Sequence, residues 1–247
     1  MTIFVTRVLA AAGALWRRDR DLLVRIAVPF VLLPSLAFQL LVPRPLMPAD
    51  TGAAEMLHAQ WQSAGDHAGA YLLAAAIIEY GHAALFAFYM DPQARDVRGA
   101  MIRAVRAWPR FVMLAMLVEL ATLDGLLFFI AGRLLPAGAA LIARPRTSSV
   151  GAIVRAIRMT AGQMLATSSL AAMLLAARLI LLAPFAGMDG WLRGLSAPNP
   201  VALAIVDAAG AGANMLVTIA GVLVAVVLYR ALSGDAATTG TGASKGT

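Results

Sequence analysis

Apolar residues run along this chain in long stretches instead of the short amphipathic periods of a water-soluble fold. Residues 22–42, 68–90, 111–143, 164–186 and 201–229 approach or exceed the roughly 20 residues that a helix needs to cross about 30 Å of hydrocarbon. The third stretch is broken by Gly132-Arg133 and by Pro136-Ala-Gly138, so it reads as one broken span or as a short hairpin. Between stretches the period shifts to 3.6 in two nearly identical segments, Gly99-Ala-Met-Ile-Arg-Ala-Val-Arg106 and Gly151-Ala-Ile-Val-Arg-Ala-Ile-Arg158, 52 residues apart. At about 100° per residue, Met101, Ile102, Val105 and Trp108 share one arc, and Arg103, Arg106 and Arg110 lie opposite. The second copy repeats this with Ile153, Val154, Ile157 and Thr160 against Arg155 and Arg158. Residues 3–18 form a weaker third copy. Such helices are expected in the membrane interface, apolar face down and arginines toward lipid phosphate.

Composition reinforces the pattern. With 61% hydrophobic and only 13% charged residues, no segment offers the polar surface of a soluble domain. The expectation is one integral membrane domain over 1–232 and a disordered cytoplasmic tail over 233–247, where Gly, Thr, Ala and Ser dominate. The apolar segment at 3–16 precedes the cluster Arg17-Arg18-Asp19-Arg20 instead of following it, so it does not read as a cleaved signal and is expected to be retained. Without cysteine there is no disulfide, thiol catalysis or thiolate metal site.

The net charge of +7 comes from 19 Arg and one Lys against 13 acids. In a membrane protein that excess points to cytoplasmic loops beside anionic lipid, not to nucleic acid. If residues 111–143 enter the membrane and return, 16 of the 20 basic residues fall on one side, leaving Arg44, Arg133 and Arg193 outside and Arg178 within a span. A single crossing would put Arg144, Arg146, Arg155 and Arg158 outside. The expected fold is therefore an all-α membrane protein of about six transmembrane or re-entrant helices in three hairpins, preceded by cytoplasmic interfacial amphipathic helices. Both termini are expected in the cytoplasm of a bacterial cell, with the protein in the inner membrane. The external connections are 43–67, with a short helix over 55–61, and 184–200.

The run Arg144-Pro-Arg-Thr-Ser-Ser-Val-Gly-Ala-Ile-Val-Arg-Ala-Ile-Arg-Met-Thr-Ala-Gly-Gln-Met164 resembles the "A-x-x-R-S-x-x-L-T-x-G-x-x" stretch before a span in one bacterial family. That family is the membrane domain associated with glycerophosphodiester phosphodiesterases, together with its stand-alone relatives of unknown function. Ala131-Gly-Arg-Leu-Leu-Pro-Ala-Gly138 is similar to the Pro-Gly break between the family's central spans. The resemblance covers residues 1–232. It departs at Ile157-Arg158-Met159-Thr160, where the family often has Ser before a Leu-Thr pair, and at Ala137, where Gly is usual. The family's catalytic domain is absent, and the resemblance implies no phosphodiesterase activity.

Ionisable residues at membrane depth are the natural candidates for chemistry. They are Glu79, His82, Glu119, Asp124, Arg178 and Asp207. Together they suggest either a polar track that relays protons or holds a lipid head group, or a few inter-helix hydrogen bonds and one Arg–Asp pair that fix packing, the more common role. Arg103, Arg106, Arg110, Arg155 and Arg158 are the candidate contacts to anionic lipid, where generic anchoring competes with specific binding. Trp16 and Trp108 suit a cytoplasmic aromatic belt, and Trp61 and Trp191 the outer one. Glu55, His58, Asp66 and His67 lack a zinc-site spacing, so no metal is assigned. The run Ala208-Ala-Gly-Ala-Gly-Ala213 suits close helix packing. No nucleophile elbow, phosphate loop, dinucleotide fingerprint or zinc-protease motif occurs, so neither enzyme activity nor a cofactor is expected. What remains is a non-catalytic protein associating with lipid and with room for a membrane-protein partner, or a small transporter component using the buried acids and Arg178.

Overall fold

A computed structural model describes residues 2–42, 52–92, 96–122 and 128–234, and among these the chain is all-helical. Helix α1 (Thr2–Ala27) passes through a π-helical turn (Val28–Leu32) into α2 (Leu33–Leu41). The wide turn falls at Pro29, which lacks an N–H and crowds the preceding carbonyl, and Leu33 closes it by donating to the Val28 carbonyl. Then come α3 (Ala53–Asp66), α4 (Ala68–Met90), α5 (Val97–Thr122), α6 (Phe128–Leu134), α7 (Ala137–Ala143) and α8 (Ser149–Thr160). A 3-10 turn (Ala161–Gln163) leads into α9 (Met164–Arg193), and α10 (Pro200–Ser233) ends the bundle.

Four helical runs, Phe4–Leu41, Ala68–Met90, Ser149–Arg193 and Pro200–Ser233, are long and apolar enough to cross a membrane. Their surfaces carry bare apolar side chains such as Leu72, Leu73, Leu179, Ile180, Val201 and Ile205. Hydrocarbon, not water, is the solvent such surfaces require, and the chain is a membrane protein.

Side-chain contacts fix the helix directions. Asp19 meets Tyr89, Phe30 meets Tyr80 and Phe38 meets Tyr71, so α1–α2 runs antiparallel to α4. Helix α5 runs back along α4, with Arg103 beside Asp91, Tyr80 donating to the Met101 carbonyl and Trp108 to that of Ala76. Helices α9 and α10 are likewise antiparallel, joined by the short connection 194–199. Asn199 caps α10 by accepting from the Val201 and Ala202 amides, and Pro200 occupies the first turn, where no amide is missed.

The two copies of the repeat are structural twins, and the likeness begins before their first glycine. Asp96 Oδ1 accepts from the Gly99 amide at 2.8 Å, and Ser148 Oγ accepts from the Gly151 amide at 3.1 Å. These N-caps also stand 52 residues apart. Ala100 and Ala104 in one copy and Ala152 and Ala156 in the other are 0% exposed. The larger apolar residues Ile102, Val105, Val150 and Val154 are on the surface.

Several expectations are corrected. Neither the first copy nor residues 3–18 form a separate interfacial helix: the former is the first half of the 26-residue α5 and the latter the start of the 26-residue α1. The face packed against protein is the alanine stripe, because small side chains let helix backbones approach closely. Trp108 does not sit at the Met90 end of α4: Ala76, its partner, precedes that end by 14 residues, about 21 Å along the axis. The connection expected over 184–200 is mostly helix, because α9 continues through Pro184 to Arg193. The helix expected over 55–61 lies within the longer α3. At the C-terminus, Gly234 stops α10 with a left-handed φ of +79°, and residues 235–247 of the expected tail lie outside the described ones.

Residues 111–143 come back to where they start. Arg110 donates to the carbonyls of Pro145 and Thr147, the latter at 3.2 Å, and Ser149 Oγ donates back to the Arg110 carbonyl at 2.7 Å. Within the returning limb a Cβ on Gly132 would stand 2.6 Å from the backbone of Ser168, where α6 lies on α9. Gly132→Ala therefore must push two backbones apart and should lower stability by about 1–3 kcal/mol in detergent unfolding. Gly221→Ala, with nothing within 4 Å, should leave stability unchanged or raise it by up to about 1 kcal/mol.

Candidate functional sites

Helix ends leave carbonyls without intrahelical partners and carry partial negative charge, so arginines collect there. Arg230 in the last turn of α10 donates to the Tyr89 carbonyl in the last turn of α4 at 2.6 Å. The Tyr89 hydroxyl donates to Asp19 at 2.9 Å, and Asp19 also accepts a forked pair of hydrogen bonds from Arg18. This network joins α1, α4 and α10 at one end of the bundle. Sequence reading missed it because its members are 70 and 141 residues apart. Arg133 follows the same rule: it donates to the Ile157 carbonyl in the last turn of α8 at 2.9 Å. It thus lies against the helix from which it was expected to be separated by the membrane.

The five candidate lipid arginines divide into three groups. Arg103 Nε pairs with Asp91 at 2.9 Å, and Arg110 is held by the carbonyls that follow α7, so both are engaged within the protein. Arg106 is exposed. Arg155 and Arg158 line an open pocket of about 540 Å³ between α8 and the end of α10, beside Val154, Met159, Leu232 and Ser233. Arg155 Nε is buried and has no hydrogen-bond partner among the described residues. A forked cation with an unused donor, next to a second cation and a hydroxyl, can receive the oxygens of a phosphate group.

Among the described intramembrane candidates, Glu79 and His82 stand together on α4, and Arg178 and Asp207 line one groove. Glu79 Oε1 and His82 Nδ1 are 3.1 Å apart, a local pair one turn apart on α4. Asp207 is bound to Arg193 at 3.5 Å, and Arg193 also holds Asp189 at 2.8 Å, so Arg193 and not Arg178 supplies the Arg–Asp pair. Asp189 and Asp207 are 5% and 3% exposed. The Glu119 side chain and all of Asp124 lie outside the described residues.

Arg178 stands on the wall of a second open pocket, a groove of about 430 Å³ bounded by α2, α4, α9 and α10. Ser35, Gln39, Tyr71 and Asn214 give it polar atoms, Phe38 and Phe185 apolar walls, and Asp189 and Asp207 close one end. Elsewhere, His58 pairs with Gln62 along α3 and His67 lies against the Ser63 carbonyl. No group of three metal-ligating side chains occurs among the described residues.

Arg193→Met would remove one cation shared by two buried carboxylates and should lower stability by about 1–3 kcal/mol in detergent unfolding. Arg178→Met should leave stability unchanged or higher, since its charge supports no contact among the described residues. No protein family, curated protein or solved structure matches the chain.

Proposed function

We propose that this chain is a non-catalytic, multi-pass protein of a bacterial inner membrane that associates with anionic phospholipid at its basic end. The observation that carries this reading is the pocket of Arg155 and Arg158, the two candidate arginines that converge on a cavity while Arg103 and Arg110 are spent on internal contacts. Each basic side chain near an anionic surface contributes about 1 kcal/mol without specificity, and convergence on a pocket adds geometric selection.

In the same reading both termini are cytoplasmic and the helices form three hairpins. Several observations support that arrangement: Asp19, Tyr89 and Arg230 meet at one end, α8 lies against Leu232 and Ser233, and residues 111–143 begin and end beside Arg110. The basic clusters at 7–25, 95–110, 144–158 and 230 would then share the cytoplasmic side. The resemblance to the phosphodiesterase-associated membrane domain fits a helical unit that acts without its own catalytic centre, alone or beside a membrane partner. A small transporter component is the second reading, favoured by the Arg178 groove and the Glu79–His82 pair. Solute flux into liposomes that Glu79→Gln leaves unchanged would count against the use of that pair.

Native mass spectrometry of the protein released from nanodiscs of mixed phosphatidylglycerol and phosphatidylethanolamine should show preferential retention of phosphatidylglycerol. The double variant Arg155→Gln, Arg158→Gln should lose most of that preference and Arg106→Gln little of it; equal retention by all three proteins would sink the lipid reading. The chain has no native cysteine, so single cysteines report topology cleanly. An impermeant maleimide added to intact cells should label Ser196→Cys and spare Ser233→Cys.

A further inference from the structure

The groove at Arg178 is a site of its own, apart from the pocket at Arg155 and Arg158. Arg178 lies midway along α9, and its neighbours Leu175, Leu179, Ile180 and Leu181 are exposed apolar residues. A guanidinium set in such a band calls for an anionic partner, and Arg178 makes no ion pair or hydrogen bond with another described residue. Charge is also segregated along the groove. Asp189 and Asp207 hold the end near the α9–α10 connection, and Asp189 lies 11 residues from Arg178, about 16 Å along the axis of α9. With its carboxylates already held by Arg193, that end offers an anion nothing, and Arg178 attracts it to the other.

We infer that this groove binds the phosphodiester head group of a membrane phospholipid, with Arg178 as counter-ion and the start of the acyl chains along Leu182 and Phe185. A phosphodiester suits the groove better than a carboxylate because Ser35, Gln39, Tyr71 and Asn214 add hydrogen-bonding groups along the same groove as the cation, matching several phosphate oxygens. The volume of about 430 Å³ suits a head group with a few methylenes rather than a whole lipid, so the remaining chain lies in the surrounding hydrocarbon. The site needs nothing from Arg155 or Arg158, and either pocket can fail while the other stands.

The full-length protein in phosphatidylcholine nanodiscs, doped separately with phosphatidylglycerol and with palmitate, provides the test through native mass spectrometry of retained amphiphile. Wild-type protein should retain phosphatidylglycerol over palmitate. In the Arg155→Gln, Arg158→Gln background, Arg178→Gln should weaken that retention by about tenfold or more, and Arg178→Lys should keep most of it. Ala186→Trp fills the groove from its exposed side without altering charge and should weaken binding equally, which separates a lost site from a misfolded one. The double variant Arg155→Gln, Arg158→Gln should retain the Arg178-dependent fraction. Equal retention by wild type, Arg178→Gln and Ala186→Trp overturns the site, as does no retention by wild type. Preference for palmitate overturns the phosphodiester assignment.

Discussion

Close approach of helix backbones through alanine and glycine is the interaction on which the rest of this fold depends. Lipid tails are as apolar as leucine, so helices gain nothing by hiding leucine from them; association rests on packing density and on polar contacts that need short distances. Helix α4 contributes Ala83, Ala84 and Ala87, and α5 contributes Ala100, Ala104 and Ala107, all buried. A Cβ on Gly81 would stand 2.8 Å from that of Phe30, beside the π-helical turn, and one on Gly132 would meet the backbone of α9. Larger apolar residues fill the core at Leu23, Leu85, Leu141 and Leu170, whereas Val105, Val154 and Ile180 are on the surface.

The polar contacts exploit this closeness. Arg230 reaches the end of α4, Arg133 the end of α8, and Arg110 the carbonyls after α7, so carbonyls that helix ends would otherwise leave exposed receive a charged donor. These contacts tie sequentially remote helices together. They also withdraw arginines from the pool available to lipid. Among the arginines that the fold does not consume, Arg155 and Arg158 line one pocket and Arg178 the other.

Hydropathy along the chain is enough to read a helical membrane protein, because 20 apolar residues in a row have few other homes. The repeat was also legible as two like helices, though its meaning was not. Ile102, Val105 and Val154 of the large apolar arc are on the outer surface, and the face that packs against protein was not read from the sequence. Ala100, Ala104, Ala152 and Ala156, unremarked in a chain rich in alanine, are the seam. The capping pair Asp96 and Ser148 escaped notice because different residue types perform the same hydrogen bond.

By itself, then, the sequence determined the solvent of this protein, its helical content and the positions of its basic clusters, since these follow from local composition and period. Tertiary structure alone decided which charges meet. Asp207 chose Arg193 over Arg178, and Tyr89 joined Asp19 to Arg230. The physical reason is distance: an ion pair or hydrogen bond forms over about 3 Å, and no local pattern along a helix records which remote helix end will come that near.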